Sequence, residues 1–436
     1  MRNMKDSGIE WIGEIPEDWE IKRISNVYKE RTEKVSDKDY APLSVTKRGV
    51  VPQLENAAKT TNGDNRKLVK KGDFAINSRS DRRGSCGISP LDGSVSLIMT
   101  VLKPYNNIVN QYYNYVFRSE RFSDEFYKWG HGIVDDLWST KWEYMKRINI
   151  PFPDKEQQEL ISNYLDNKVK EIDNIISKTQ ETIEEYKKYR QSVITEAVTK
   201  GINPNVEMKD SGTEWVGQIP KDWEIVSLGH IFDFIGGYAY KSEKFTHETN
   251  NQVLRLGNIK NNNLILDEKR VFIDDNYAQV SQNALVYTDD ILFTMTGTKG
   301  KRDYFYTLIV KDTHLNNKKL FLNQRVGCFR KKLNICMNYY NYALKNNMIL
   351  DFIFLYETGT ANQGNLGIET IKRTKIYYPK LDEQLQIANY LDKRCTEIDN
   401  LISKKEELIT QLELYKKSLI YECVTGKKEV AVAYGY

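Results

Sequence analysis

The sequence predicts an α+β protein in which two mixed α/β domains are joined by two long helices that pair as an antiparallel coiled coil with pseudo-two-fold symmetry. Three observations predict it. The chain opens each half with the same leader, closes each half with the same long helical segment, and places short strand-like runs between them. At 436 residues the chain also exceeds the usual size of one domain, so two globular units are expected on length alone.

The leader comes first. Residues 4–21 read MKDSGIEWIGEIPEDWEI and residues 208–225 read MKDSGTEWVGQIPKDWEI, an offset of 204 with four of eighteen positions different. Near the end of each half, Asn163-Tyr164-Leu165-Asp166 with Glu171-Ile172-Asp173-Asn174 recurs as Asn389-Tyr390-Leu391-Asp392 with Glu397-Ile398-Asp399-Asn400, an offset of 226. The second middle section is therefore 22 residues longer, and it shows little resemblance to the first. A repeat of this length is a duplicated domain plus helix, not a solenoid unit.

The closing segments read as helices. Apolar or semi-apolar residues step by three and four through Ile161, Leu165, Val169, Ile172, Ile176, Thr179 and Ile183, and the copy repeats the pattern with Ile387, Leu391, Cys395, Ile398, Ile402 and Ile409, which approaches the seam of a heptad pair. Neither segment contains Gly or Pro before Gly201 and Gly426, and each follows a proline, Pro153 and Pro379. About 45 residues at ~1.5 Å each make a rod of roughly 65–70 Å, longer than the ~34 Å between successive major grooves on one side of DNA. The alternative is two amphipathic helices, each packed on its own domain; two copies with like seams favour the pair.

The middle sections carry β-branched runs at 40–52, 68–78 and 95–103, and at 252–262, 284–301 and 325–332, so both read as the same strand-rich plan. A tyrosine-rich helical stretch follows in each, with Tyr112, Tyr113, Tyr115 and Phe117 in one and Tyr339, Tyr340 and Tyr342 in the other. Its spacing suits core packing.

Hydrophobic residues at 40% and charged residues at 28% describe an ordinary globular chain, and a net charge of +4 does not by itself indicate nucleic-acid binding. The distribution is more telling. Asn77, Arg79, Arg82 and Arg83 cluster in Asn77–Gly84, just after a strand, and Thr296, Lys299, Lys301 and Arg302 cluster at the matching position in Thr294–Arg302. Arginine beside small flexible residues suits phosphate or guanine edges. A solvated surface loop is the bland reading of either one; the recurrence after equivalent strands favours DNA contact. A weaker pair is Lys47 and Arg48 against Arg255, Asn258 and Lys260, and another is Lys128–Trp138 around His131 against Asn362 and Gln363, whose amides could address adenine.

Other classes are disfavoured. The five cysteines, Cys86, Cys328, Cys336, Cys395 and Cys423, show no CxxC pairing, which argues against a zinc site or a disulfide framework. There is no glycine-rich cofactor loop with an Asn- or Asp-Pro-Pro-aromatic tetrapeptide, no GxxxxGK[ST] loop, and no nuclease carboxylate cluster. No catalytic residue, metal ligand or bound cofactor is expected. With no long apolar run and no signal-peptide core at the N-terminus, the expected location is the cytoplasm.

The leader with Trp11, Ile15-Pro16 and Trp19, the insert ending Ile150-Pro151-Phe152-Pro153, and the helix opening Glu156-Gln157-Gln158 resemble type I restriction-modification specificity subunits. The second copy carries Glu383-Gln384 and the Asn389–Asp392 run, so the resemblance spans nearly the whole chain. It implies two target-recognition domains with their leaders at 1–154 and 202–381, spacer helices at 155–201 and 382–426, and a tail at 427–436. It further implies that each recognition domain reads one half of an asymmetric, split double-stranded DNA target. The helix pair would set the spacing and dock two methyltransferase (modification) subunits, which use S-adenosylmethionine to methylate adenine. Restriction/translocase subunits would add ATP- and Mg-dependent cleavage. Rival readings are a stand-alone DNA-binding regulator and an enzyme with an unfamiliar nuclease site. The duplication also predicts that the end of the second helix, near Gly426, lies close to the first leader.

Overall fold

The computed structural model describes residues 2–55, 63–79, 82–132, 138–212, 216–360 and 362–430. Ser80, Asp81, Ala361, residues 133–137 of the predicted loops, Trp215 of the second leader and residues 431–436 of the tail lie outside the described residues. The chain forms two compact units, Met1–Glu181 with Lys405–Tyr436, and Thr182–Lys404.

In the first unit, β1 (Tyr28–Glu30), β2 (Phe74–Asn77), β3 (Cys86–Ile88) and β4 (Met99–Pro104) form an antiparallel sheet in the order β3-β2-β4-β1. All four residues of β2 are buried. The strand starts where Gly72, at φ +90°, turns the chain. Asp73 closes that turn: its carboxylate accepts the Lys70 N–H at 2.8 Å and grips the Arg31 guanidinium at 2.6 and 3.1 Å. Behind the sheet lie α1 (Asn110–Arg118) and α2 (Glu120–Lys128). Their aromatic rings fill the core, with Phe117 5.0 Å from Phe74 and 4.8 Å from Phe122 between ring centres. The tyrosine-rich stretch is core, as its spacing predicts: Tyr112 and Tyr113 are buried.

The second unit repeats this plan with different residues. Here β5 (Phe232–Gly236), β6 (Ile291–Thr294), β8 (Thr307–Ile309) and β9 (Val326–Lys331) pair in the order β5-β9-β6-β8. In both sheets, by chain order, the first strand pairs with the fourth, the fourth with the second and the second with the third. Asp290 takes the place of Asp73, accepting the Tyr287 N–H at 2.8 Å and binding Arg330 at 2.9 and 2.6 Å. The guanidinium comes from β9 here and from beyond β1 there, so the anchor is kept while its partner moves. Tyr339 and Tyr340 on α4 (Met337–Ala343) are buried, and α5 (Asn347–Leu355) follows.

The two long segments are uninterrupted helices, α3 (Lys155–Lys200) and α6 (Leu381–Val424). Within the first unit Asp173 of α3 pairs with Lys416 of α6 at 2.6 Å, and within the second Arg190 of α3 pairs with Asp399 of α6 at 3.0 Å. These are one interaction written twice, because at the repeat offset of 226 Asp173 corresponds to Asp399 and Arg190 to Lys416. Within the first unit the start of α3, at Gln157 and Ile161, lies beside Gly426 at the end of α6, while Asp173 farther along meets Lys416, so there the two helices run antiparallel. The seam residues Ile161, Leu165, Ile172, Ile176, Ile183, Ile387, Leu391 and Ile398 are buried. Ile402 and Ile409 are only half-buried.

A buried glutamine ties α1 to α3 in the first unit and α4 to α6 in the second. Gln158 accepts the Val109 N–H at 2.8 Å and donates to the Pro153 carbonyl at 2.8 Å; Gln384 accepts the Cys336 N–H at 2.9 Å and donates to the Pro379 carbonyl at 2.8 Å. Val109 and Cys336 are the N-cap positions of α1 and α4, and neither has a capping side chain of its own, so the glutamine meets a need the local sequence leaves open. The end of α6 meets the first leader as the duplication predicts. Tyr421 and Lys427 both donate to the Ile12 carbonyl, at 2.9 and 3.0 Å. Gly426, at φ +73°, lies so close to Pro16 that a Cβ would sit 2.5 Å from its ring.

Candidate nucleic-acid interface

In the first unit, β2 ends at Asn77, whose Oδ1 accepts the Arg79 N–H at 3.1 Å and turns the chain out of the sheet. That turn is what an Asn side chain does best near backbone N–H groups. The loop closes through the Ser85 N–H on the Arg82 carbonyl at 3.0 Å, with Gly84 at φ +72°. It is then fastened to the segment after α2. Arg79 bridges to Ser139, Ser139 bridges to His131, and the Thr140 N–H donates to the Ser78 carbonyl at 2.9 Å. Beside Arg79 opens a cleft of about 620 Å³ that holds Lys67, Lys141 and Lys146 as well, against Glu30 and Glu143, with Trp142 on its wall. Lys67 bonds Glu30 at 3.0 Å. Among the described lining residues, four cations face two carboxylates.

The second unit builds the same device from other residues. The loop after β6 continues as β7 (Thr296–Gly297), which pairs with a hairpin of β10 (Thr358–Thr360) and β11 (Gln363–Asn365) in the order β7-β11-β10. The Leu366 N–H donates to the Met295 carbonyl at 3.1 Å, the counterpart of Thr140 on Ser78. Lys299 is thereby brought to the hairpin that carries Asn362 and Gln363, while Arg302 turns to Asp351 of α5; Lys299, Lys301, Arg302, Asn362 and Gln363 are all exposed. Lys299 donates to the Gly359 carbonyl at 3.0 Å. Hydrogen bonding by Thr298, whose N–H lies 2.7 Å from Asp303, holds the Asp303 carboxyl below its ordinary range.

One brace differs between the units. In the first, Trp138 packs over Gly130, where a Cβ would meet its indole nitrogen at 2.2 Å. In the second the small and large positions are exchanged: Gly364 stands where Trp138 does, and Glu357 where Gly130 does. A Cβ at Gly364 would meet the Glu357 carboxylate at 2.1 Å. That carboxylate accepts the Tyr304 hydroxyl at 2.6 Å and the Gly300 N–H at 2.9 Å, pinning the lysine-bearing loop to the hairpin. Burial and the neighbouring Glu357 raise the Tyr304 hydroxyl well above its ordinary pKa.

The remaining predicted residues fall into two groups. Lys47 and Arg48 form the exposed two-residue turn of a hairpin, Leu43–Thr46 with Gly49–Pro52. The hairpin lies against β3, where a Cβ on Gly87 would be 2.9 Å from the Gly49 Cα. Lys260 is exposed at the end of a separate short strand, Ile259–Lys260, 3.9 Å from Glu268.

Four readings are corrected. Asn258 is buried, and its amide is spent on the Arg255 N–H at 2.9 Å and the carbonyls of Ile265 and Glu268 at 2.9 and 3.1 Å; it shapes a turn and has no donor left for a base. Arg255 is half-buried, bonded to the Lys269 carbonyl at 2.9 Å. Asn77 is buried as the turn-former of its loop, and Thr296 is buried in β7. Lys67, Lys141, Lys146, Trp142 and Glu357 were missed, because nothing local in the sequence marks residues that converge from separate strands and helices.

Among the described residues, no three His, Cys, Asp or Glu side chains gather as a metal site would require. The chemistry on offer at these loops is that of cations, amides and hydroxyls.

Comparison with known proteins gives one consistent answer. The model of the type I restriction modification DNA specificity domain matches residues 16–185 and 220–413. The type I restriction enzyme MjaVIII specificity subunit of Methanocaldococcus jannaschii is 26% identical over 95% of this chain and 94% of its own length. The putative MjaX specificity subunit of the same organism is 24% identical over 96% of both. Among solved structures, a chain described under complex assembly and conformational transition of the type I R-M system matches with a TM-score of 0.72 at 14% identity, over 95% of this chain and 99% of that one. The HsdS subunit from Thermoanaerobacter tengcongensis matches with a TM-score of 0.53 at 14% identity, over 95% and 98%. These structural likenesses speak for the fold.

Proposed function

From a chain that belongs to the type I restriction modification DNA specificity domain family, we propose a reader of a split, asymmetric double-stranded DNA target, one half-site to each unit. One observation carries this reading. Two units of unlike sequence each place a cation-bearing loop after the same sheet strand and fasten it with the segment that follows the second helix. Such loops supply phosphate and base-edge donors together.

In this reading the chain itself is non-catalytic and holds no cofactor. Two methyltransferase subunits carry S-adenosylmethionine and modify adenine, and restriction/translocase subunits use ATP and Mg. The helix pair, by its fixed antiparallel register, holds the two readers at one spacing and offers the docking surface for the methyltransferases. Work on chromosomal DNA places it in the cytoplasm; no helix among the described residues is long and apolar enough to cross a membrane.

The test is to co-express the chain with its partner methyltransferase in an unmethylated host and map modified adenines by single-molecule sequencing. The expected result is a two-part motif with unlike halves and one modified adenine per strand. A palindromic motif, or a soluble complex that modifies nothing, would refute the assignment.

A further inference from the structure

The arginine at the far end of each reading loop is held in the same way in both units. Arg83 lies 3.7 Å over the ring of Tyr127 and pairs with Asp124 at 3.3 Å. Arg302 lies 5.7 Å over the ring of Phe354 and pairs with Asp351. The partners occupy the same positions of the two helices, Asp124 and Tyr127 as fifth and eighth residues of α2 and Asp351 and Phe354 as fifth and eighth residues of α5, one turn apart on one face. The loops leading there share neither sequence nor length: Arg83 comes six residues after Asn77, and Arg302 eight residues after Thr294. An arginine nonetheless arrives at the same helix face.

We propose that Arg83 and Arg302 are equivalent phosphate anchors, which grip the DNA backbone in each half-site without reading bases. The inference rests on the DNA-reading function proposed above. What recurs in two domains that read different sequences must serve what those sequences share, and that is the sugar-phosphate backbone. What differs at matched positions, such as Arg79 in one loop and Thr296 in the other, belongs to sequence reading or to local packing. The side chains are poised for the task. They are 48% and 53% exposed, their carboxylate partners 56% and 57%. Each guanidinium has five N–H donors and spends one nitrogen on its aspartate, leaving the rest of the fork to solvent. An exposed ion pair of this kind stabilises a fold very little, so a latch alone is a poor account of its recurrence. The ring instead holds a flexible side chain in one orientation, which lowers the entropy lost when it meets a phosphate, while the aspartate is the exchangeable partner that a phosphate displaces.

The experiment uses the full chain in complex with its methyltransferase, and a labelled duplex carrying the motif found by methylation mapping. Affinity is measured between ~50 and ~200 mM salt, where each neutralised phosphate contributes about 0.9 to the log–log slope. R83Q and R302Q should each lower the slope by about 0.9, and together by about 1.8, while the mapped motif stays the same. R83K should restore most of the slope, because a phosphate contact needs the charge. D124N should bind more tightly than the parent, because it frees the guanidinium. Three results would overturn the proposal: a motif that loses definition at one base, which makes the arginine a base reader; an unchanged slope; or D124N weakening binding as R83Q does, which makes the pair a latch. If the parent complex binds the motif duplex no better than a scrambled one, the DNA-reading function falls together with the anchors, whereas motif-selective binding with an unchanged slope in R83Q and R302Q overturns the anchors alone, so the two failures are told apart.

Discussion

Replacing Glu357 by alanine should loosen one reading loop and leave the rest of the chain intact. The carboxylate accepts two hydrogen bonds, from the Tyr304 hydroxyl at 2.6 Å and the Gly300 N–H at 2.9 Å. Hydrogen bonds to a charged group are worth about 1.5–3 kcal/mol each when buried. Glu357 is only half-buried, so the pair together contributes roughly 2–3 kcal/mol after allowance for solvent screening. At about 1.4 kcal/mol per tenfold, opening of the loop should become roughly 30- to 150-fold more frequent. Amide hydrogen exchange at Gly300 and its neighbours reads this directly and should speed up by that factor, while the main thermal transition of the second unit moves little. The recognised motif should blur in one half and stay sharp in the other. E357Q keeps one acceptor oxygen and should fall between. Unchanged exchange at Gly300 in the alanine variant would show that the hairpin register alone holds the loop, and the bracing role assigned to Glu357 would be wrong.

Two further outcomes are expected. Gln158→Leu strips the Val109 N–H and the Pro153 carbonyl of their partner, a loss of roughly 2–4 kcal/mol for two groups left unsatisfied; calorimetry should show the first unit melting about 5–15 °C lower, with Gln384→Leu doing the same to the second unit. Lys345 has its pKa lowered to about 8, first by burial and then by the charge of Arg190. Its folded-state value lies below its unfolded value of 10.5, so the unfolded chain binds more protons between those limits and stability should rise as pH climbs from about 8 toward 10. Denaturant titration across that range checks it, and Lys345→Met should flatten the rise.

Much of the architecture was legible because it is written twice. The leader and the helix seam repeat with fixed offsets, and repetition exposes a pattern without knowledge of any contact. It also gave the placement of Gly426 beside the first leader, since a covalent link at Gly201 in one half demands a neighbour at the same place in the other. The tyrosine-rich helices were legible for a simpler reason: aromatic residues three and four apart mark a buried face. The basic loops were found by composition, but composition did not separate Arg83, which stands out toward solvent, from Asn77 and Asn258, which are equally polar and turn inward to satisfy their own backbone.

The sequence alone determined the duplicated plan and the two long helices, and it picked out the loops that carry charge. Only the tertiary structure decided which distant residues share a surface. Lys67, Lys141 and Lys146 meet Arg79 because strands and helices far apart in the chain converge there. Glu357 braces Tyr304 because a hairpin pairs with β7. The exchange of glycine and bulk between Gly130 with Trp138 and Glu357 with Gly364 is invisible without the strand register. Local sequence encodes propensity and periodicity, which act over a few residues, whereas a binding surface is a product of packing, and packing is settled by the closure of long loops that no local pattern records.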